Sequence, residues 1–352
     1  MSKKELYIGN RAVGENHPPY IIAEAGVHHY NSVELAKTYI LQAKIAGADA
    51  IKFQTYTAQR IVTTWAPTYW DAPEGVTQFD IFAERSNLAK EDYQVLFDYA
   101  RQLDIAFLST PFDPDSAALL AEFEMPAFKI ASADLTYFTL LETVASFKKP
   151  ILLSTGAATY KEVAETVAFL QNLQAKFILL HCVLSYPTPV KDANLHRITE
   201  LQKQFPDMII GYSDHTQPQD TMAACPIAVA LGAKVVEKHF TLNKFLDGDD
   251  HYHAVDPEGL KRLVQDCKDA HIMTVKPKEL QDSELPARTN ARRSIVAAKP
   301  LSAGTTLCLQ DIDFKRPGTG LSPMQVDQVL GRTLNTALQT DDLIKLEHLG
   351  SL

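Results

Sequence analysis

The sequence predicts an α/β protein: a (β/α)8 barrel followed by a small β-rich domain. Three features carry this expectation. Eight short apolar runs recur between residues 20 and 238, amphipathic segments with helical spacing separate them, and after residue 290 the pattern changes to short strand-like pieces broken by Gly, Pro and Asp. A chain of 352 residues is long for one compact domain and suits one large domain with one small one.

The apolar runs are YIIAE (20–24), DAIKF (49–53), IAFLS (105–109), AFKI (127–130), PILLS (150–154), FILLH (177–181), MIIGY (208–212) and KVVEK (234–238). They are mostly continuous and rich in β-branched residues, as strands covered on both faces should be. The first helix-like segment is SVELAKTYILQAKIAG (32–47), and the series continues at 90–103, 114–123, 137–147, 160–173, 194–205, 219–232 and 256–270. Strict alternation of strand and helix implies a parallel sheet with right-handed crossovers, and eight such units suffice to close a barrel. An open doubly wound sheet is the alternative, but no GxGxxG follows the first run.

Two stretches interrupt the rhythm. Residues 57–89 form a long insertion after the second strand, containing Trp65, Tyr69, Trp70, Phe79 and Phe82; a long loop on the strand-exit face is usually functional, so this one is expected to form a pocket wall. Residues 276–290 are polar without apolar periodicity and read as a linker. The expected organisation is therefore a catalytic barrel over 1–275, a linker over 276–290 and a β-rich domain over 291–352, built from pieces at 293–298, 306–310, 312–316 and 343–349. A domain that small is expected to cap something rather than act alone.

Composition narrows the function. A formal charge of −9 argues against a nucleic-acid-binding surface, which needs a basic excess, but leaves room for an anionic substrate held by a local cluster of cations. The opening residues MSKKELYIGN show no apolar stretch of a secretory leader, and no apolar run is long enough to span a bilayer. Cys182, Cys225, Cys267 and Cys308 form no CxxC pair and read as reduced core thiols of a cytoplasmic protein.

Chemistry in such a barrel occurs at the C-terminal ends of the strands. Those positions hold Glu24; Lys52 and Gln54; Ser109 and Thr110; Lys129, Ser132 and Asp134; Ser154 and Thr155; His181, leading to Tyr186; Ser213, Asp214 and His215; and Glu237, Lys238 and His239. Two lysines among several hydroxyls suit a small anion carrying phosphate and carboxylate. Two histidines on neighbouring strand ends, His215 and His239, can share a divalent metal with positions left for substrate oxygens. Glu24 or Asp134 can transfer a proton. His181 is read as a hydrogen-bonded core residue.

At these positions the sequence resembles the sialic acid synthase family, whose members join phosphoenolpyruvate to an N-acetylated hexosamine. The landmarks are IIAEAG (21–26), AGADAIKFQTY (46–56), STPFD (109–113), FKIASADLT (128–136), LLSTG (152–156), YPTP (186–189), GYSDHT (211–216), ALGAKVVEKHFTL (230–242) and KRPGTG (315–320). Together they span nearly the whole chain. The C-terminal piece resembles that family's antifreeze-like (SAF, β-clip) domain. The resemblance implies that Lys52, Thr110, Lys129, Ser132, Ser154 and Ser213 hold phosphoenolpyruvate, and that His215 and His239 bind a manganese-like ion, with magnesium or cobalt as alternatives. Glu24, Gln54, Tyr186 and Asp250 would contact the sugar, and Arg316 would reach in from the cap domain of the partner subunit in a domain-swapped homodimer.

Some positions depart from the family pattern. HHYN (28–31) stands where Asn-His-Asn-Gly is common, Leu184 where some members have Asn, Asp134 where some have Glu, and Ala254 where Ser is frequent, in a histidine-rich run over 247–257. The acceptor implied is N-acetylmannosamine, a di-N-acetylated dideoxyhexose or a related sugar, selected by residues 57–89 and 247–254. Two other readings of the residues stand beside this one. A pyruvate-type aldolase would form a Schiff base on Lys52 or Lys129; a non-catalytic carbohydrate-binding protein would need neither the lysine pair nor a metal.

Overall fold

The computed structural model describes residues 5–70, 72–85, 88–246, 250–274 and 279–350. Parts of three expected features therefore lie outside the described residues: 71 and 86–87 of the insertion, 247–249 of the histidine-rich run and 276–278 of the linker. The chain divides into two compact units, residues 1–275 and 276–352.

The first unit opens with a hairpin absent from the sequence expectation, β1 (Glu5–Ile8) and β2 (Arg11–Gly14), turned at Gly9, whose φ is +59°. Eight parallel strands follow: β3 (Tyr20–Gly26), β4 (Ala50–Thr55), β5 (Ala106–Pro111), β6 (Phe128–Ile130), β7 (Ile151–Ser154), β8 (Phe177–Cys182), β9 (Ile209–Asp214) and β10 (Val235–His239). Their order is β5-β4-β3-β10-β9-β8-β7-β6, and β5 packs against β6, so the sheet curls into the expected barrel with one seam lacking a ladder.

Helices α1 (Val33–Ala46), α4 (Lys90–Gln102), α5 (Pro114–Ala121), α6 (Phe138–Ser146), α7 (Tyr160–Asn172), α8 (His196–Gln204), α9 (Ala224–Ala230) and α10 (Pro257–Met273) occupy the predicted segments. Their starts are written locally. Ser32, Asp113, Thr159 and Asp256 each cap a first turn through the side chain, and Pro114 and Pro257 follow two of those caps. The 57–89 insertion, expected as a loop, carries two short helices, α2 (Ala58–Ile61) and α3 (Gln78–Arg85).

Strand alternation divides the core in two. One set of alternate strand residues, including Ile21, Ile51, Phe107, Phe128, Leu153, Leu179 and Val236, packs outward against the helices. The alternating set, Tyr20, Ile22, Ala50, Leu108, Leu152, Ile178, Leu180 and Val235, fills the barrel interior together with Ile8 and Val13 of the hairpin. The hairpin thus supplies apolar side chains to the N-terminal end of the barrel, leaving the opposite mouth polar.

The second unit holds α11 (Leu285–Ala291) and the antiparallel pair β11 (Ser294–Ala297) and β12 (Ile312–Lys315) around Ile295, Leu301, Leu307, Val329, Leu334 and Ile344. Within the expected linker, 282–284 form a 3-10 turn and a helix begins at 285 and runs to 291, with Pro286 presetting φ in its first turn. The pieces at 306–310 and 343–349 are not regular strands. They make single bridges, Thr306 to Thr333, Val296 to Leu343 and Leu334 to Leu349, interrupted by 3-10 turns. Cys182, Cys225 and Cys267 are buried free thiols, whereas Cys308 is exposed rather than a core residue. Among the described residues no helix is long and apolar enough to cross a membrane.

Candidate active site

One step further along the inward parity, every strand turns from apolar to polar. Glu24 follows Tyr20 and Ile22; Lys52 and Gln54 follow Ala50; Thr110 follows Leu108; Lys129 follows Ala127; Ser154 follows Leu152; Cys182 follows Leu180; Ser213 precedes His215; Glu237 and His239 follow Val235. All of them line one cavity. At β3 the ladder to β4 slips between Glu24 and Gly26, and Gly26 takes φ +55°. A side chain there would sit 3.4 Å from Gln54 Nε2, so the bulge that aims Glu24 into the mouth calls for glycine.

The lysines and carboxylates form one buried network. Lys52 Nζ lies 2.5 Å from Glu24 Oε2 and 3.8 Å from Glu237 Oε1, and donates to Thr110 Oγ1 at 3.0 Å. Lys129 Nζ is 3.9 Å from the same Glu237 oxygen and donates to the Ile130 carbonyl. Ser213 donates to Glu237 Oε1 at 3.0 Å, and Gln54 to Glu24 Oε1 at 2.9 Å. Burial works against the charge on Glu237, but Lys129 and then Lys52 outweigh it and hold its carboxyl below the usual range. Burial pushes Glu24 up, with Lys52 opposing, and draws Lys129 down, with Glu237 opposing. Beside this network Ser132 Oγ accepts from the Gly156 N–H at 2.9 Å, and the Ser154 hydroxyl is buried without a hydrogen bond among the described residues. Lysines, hydroxyls and a backbone N–H so arranged can hold a compact anion.

Imidazoles crowd the adjoining wall. The rings of His215 and His239 are 5.3 Å apart, those of His239 and His253 4.6 Å, and Tyr186 lies 4.3 Å from His215. Ligand atoms of His239, Asp250 and His253 all lie within 4.8 Å of one another. His215, expected to share a metal with His239, falls outside that set; its Nδ1 faces the Val183 carbonyl at 2.8 Å and Cys182 Sγ at 3.7 Å. Burial, reinforced by neighbouring imidazoles, holds His239 and His253 well below the usual histidine range, so both are neutral with a lone pair to offer.

The third wall is apolar: Ile61, Tyr69, Trp70, Ile81 and Phe82 of the insertion join Val27, Tyr56 and Phe112. Phe82 packs edge-on to Tyr56 at 5.2 Å. Asp134 stands behind the mouth rather than on the cavity lining; burial pushes its carboxyl up to about 7 against the pull of Lys129.

The NeuB family matches residues 39–278, and a SAF domain matches residues 292–350. This chain belongs to the NeuB family. It is 36% identical over 351 residues to the N,N'-diacetyllegionaminic acid synthase of Legionella pneumophila (97% of each chain). It is 36% identical to the Campylobacter jejuni enzyme of the same name (92% of this chain, 98% of that one). The crystal structure of the N-acetylneuraminic acid (sialic acid) synthetase of Leptospira borgpetersenii superposes with a TM-score of 0.73 at 33% identity, covering 81% of this chain and 95% of that one.

In this NeuB-family barrel the structure brings together Glu24, Lys52, Gln54, Thr110, Lys129, Ser132, Ser154, Tyr186, Ser213, His215, His239 and Asp250 at one cavity. Arg316 belongs to the SAF unit, where it is exposed. His181 faces the helix layer by parity, with Nε2 2.9 Å from the Ala193 carbonyl. Cavity residues given no role from sequence include Glu237, Cys182, Tyr56, His28 and Arg85. Inward parity alone would have found Glu237, two residues from both Val235 and His239. His253 carried a weaker signal, as part of a histidine-rich run.

Proposed function

We propose that this NeuB-family enzyme condenses phosphoenolpyruvate with an N-acetylated amino-sugar aldehyde and water, giving a nonulosonic acid and phosphate. The observation that carries the reading is the lysine-and-hydroxyl network set directly beside an imidazole cluster at one barrel mouth. Lys52 and Lys129, with Thr110, Ser132, Ser154 and Ser213, hold the phosphate and carboxylate of the enol ester. Its methylene carbon attacks the aldehyde carbon, the aldehyde oxygen takes up a proton, water adds to the cationic enol carbon, and phosphate leaves. Glu24, on the cavity lining, is placed to exchange a proton with substrate directly; Asp134, off that lining with a carboxyl near 7, is the other candidate and would need a bridging water. Holding both reactants side by side removes orientational entropy worth several kcal/mol of the barrier, on the order of that seen in intramolecular reactions.

Among the described residues, the buried Nδ1 of His239 makes no hydrogen bond, and its neutral ring suits a divalent cation. We assign the ion, manganese with magnesium or cobalt as substitutes, to His215 and His239. When bound there it would polarise the aldehyde as a Lewis acid. Glu24, Gln54, Tyr186 and Asp250 then orient the sugar. The apolar wall of Trp70, Ile81 and Phe82 favours an acceptor bearing methyl and acetyl groups over a fully hydroxylated one, so a di-N-acetylated deoxyhexose is our preferred substrate. The assembly we propose is a homodimer in which Arg316 of one subunit serves the barrel of the other.

Phosphate release from phosphoenolpyruvate is the assay, run against a panel of N-acetylated hexosamines before and after chelation, with mass spectrometry of the product. We expect turnover that is lost on chelation, restored by Mn2+, and fastest with a deoxy acceptor. Absence of phosphate release with every acceptor and metal rejects the reaction. Full turnover after chelation rejects the ion's role. Mixing Arg316→Ala with Lys52→Ala subunits tests the dimer: partial activity in the mixture supports action in trans, and none rejects it.

A further inference from the structure

His253 is a buried group with no hydrogen-bond partner among the described residues. It ends the 3-10 turn His251–His253, is 0% exposed, and neither of its ring nitrogens makes a hydrogen bond among the described residues. Its neighbour on the same turn shows how a structural histidine is accommodated: His251 has Nδ1 2.7 Å from the Thr241 hydroxyl and Nε2 2.6 Å from the Tyr30 hydroxyl. An imidazole buried with both nitrogens idle forfeits its hydration without compensation, unless something else occupies a lone pair.

The surroundings specify what that is. His253 Nε2 points to Asp250 Oδ1 at 3.8 Å, and Asp250 Oδ2 lies 3.4 Å from His239 Nδ1, itself without a hydrogen bond. Two imidazoles and a carboxylate thus converge on one point, too far apart for good hydrogen bonds and close enough to contract around an ion. Two histidines and one carboxylate, with the remaining coordination positions open, form a known divalent-metal site.

We propose that His253 and Asp250 are protein ligands of the divalent ion together with His239, so that the ion is held by a two-histidine, one-carboxylate set and not by the His215–His239 pair alone. This rests on the metal reading above and changes its residues. Asp250 then serves the ion first and the sugar second, while His215 has its Nδ1 engaged by the Val183 carbonyl.

The test is metal binding by the full-length protein, read without turnover. Apo enzyme is titrated with Mn2+ by calorimetry, and the nitrogens coupled to bound Mn2+ are counted by pulsed electron paramagnetic resonance. His253→Phe keeps a ring in the space, and circular dichroism checks its fold. We expect His253→Phe to weaken Mn2+ binding by at least the 10- to 100-fold typical of supporting groups around a metal, and to remove one coupled imidazole. Unchanged affinity and nitrogen count in a folded His253→Phe overturn the inference while leaving the His215–His239 assignment standing. Failure of the wild type to bind Mn2+ overturns both. Should the variant not fold, Asp250→Asn and the wild-type nitrogen count decide: loss of affinity and coupling from His253 support the inference, and coupling from His215 and His239 alone overturns it.

Discussion

Glu237 is the group whose removal the structure predicts most sharply, because one carboxylate oxygen serves two buried lysines. Its Oε1 lies 3.8 Å from Lys52 Nζ and 3.9 Å from Lys129 Nζ, and its side chain is 5% exposed. At an effective dielectric near 20, each pair at that separation is worth about 4 kcal/mol of Coulomb attraction before desolvation is subtracted. Glu237→Gln keeps the shape and removes the charge. Lys52 retains Glu24, but among the described residues Lys129 keeps the Ile130 carbonyl alone as a hydrogen-bond acceptor. Breaking a buried pair from one side costs about 3–5 kcal/mol, and that is the expected loss for the empty enzyme in urea denaturation. A bound anion reverses the sign. Phosphoenolpyruvate no longer shares its lysines with a glutamate, so its affinity should rise about tenfold for each 1.4 kcal/mol of relieved repulsion. The phosphoenolpyruvate-induced rise in Tm should accordingly be larger in the variant than in the wild type. A Glu237→Gln protein as stable as the wild type, or one with a smaller ligand-induced rise, would refute the charge-compensation argument.

Further outcomes follow from single residues. Asp134 has a folded carboxyl near 7, above its unfolded value, so between those two pH values the folded state binds the extra proton and stability falls as pH rises. Asp134→Asn should flatten that stability slope in denaturation series across pH 4 to 7, and an unaltered slope would reject the burial argument. Gly26→Ala places a Cβ at φ +55° and 3.4 Å from Gln54 Nε2; it should cost about 1–2 kcal/mol and raise KM for the acceptor more than for phosphoenolpyruvate. Lys129→Met should raise KM for phosphoenolpyruvate by at least about tenfold with little change in acceptor affinity, as expected from loss of a buried charge-assisted contact of about 1.5–3 kcal/mol. Equal effects on both substrates would contradict the division of the cavity into two halves.

Much of the barrel was legible because its signals are local. A continuous apolar run such as residues 151–153 can be satisfied only where both faces are covered, and Ser32, Asp113 and Asp256 announce helix starts within a residue of where they occur. The hairpin over 5–14 was missed because its two strands are only four residues each, and Ile8 and Val13 acquire a partner only once the barrel floor exists. The helix at 285–291 was hidden by polar composition: none of its residues is buried, so no apolar periodicity marks it. The same distinction runs through the site. Lys52, Lys129 and Ser213 stand at strand ends, where strand parity alone aims them inward.

The sequence by itself determined the eight repeating units, the parity that turns polar side chains toward one mouth, and the family these residues belong to. Those properties depend on spacing along the chain, which a reader of the sequence can count. Only the tertiary structure decided that one oxygen of Glu237 sits between two lysines and that His253 lies beside His239 with neither nitrogen hydrogen-bonded among the described residues. These are distances between strands and between a strand and a loop, set by barrel curvature and by how the turn at 251–253 packs. No spacing along the chain encodes them.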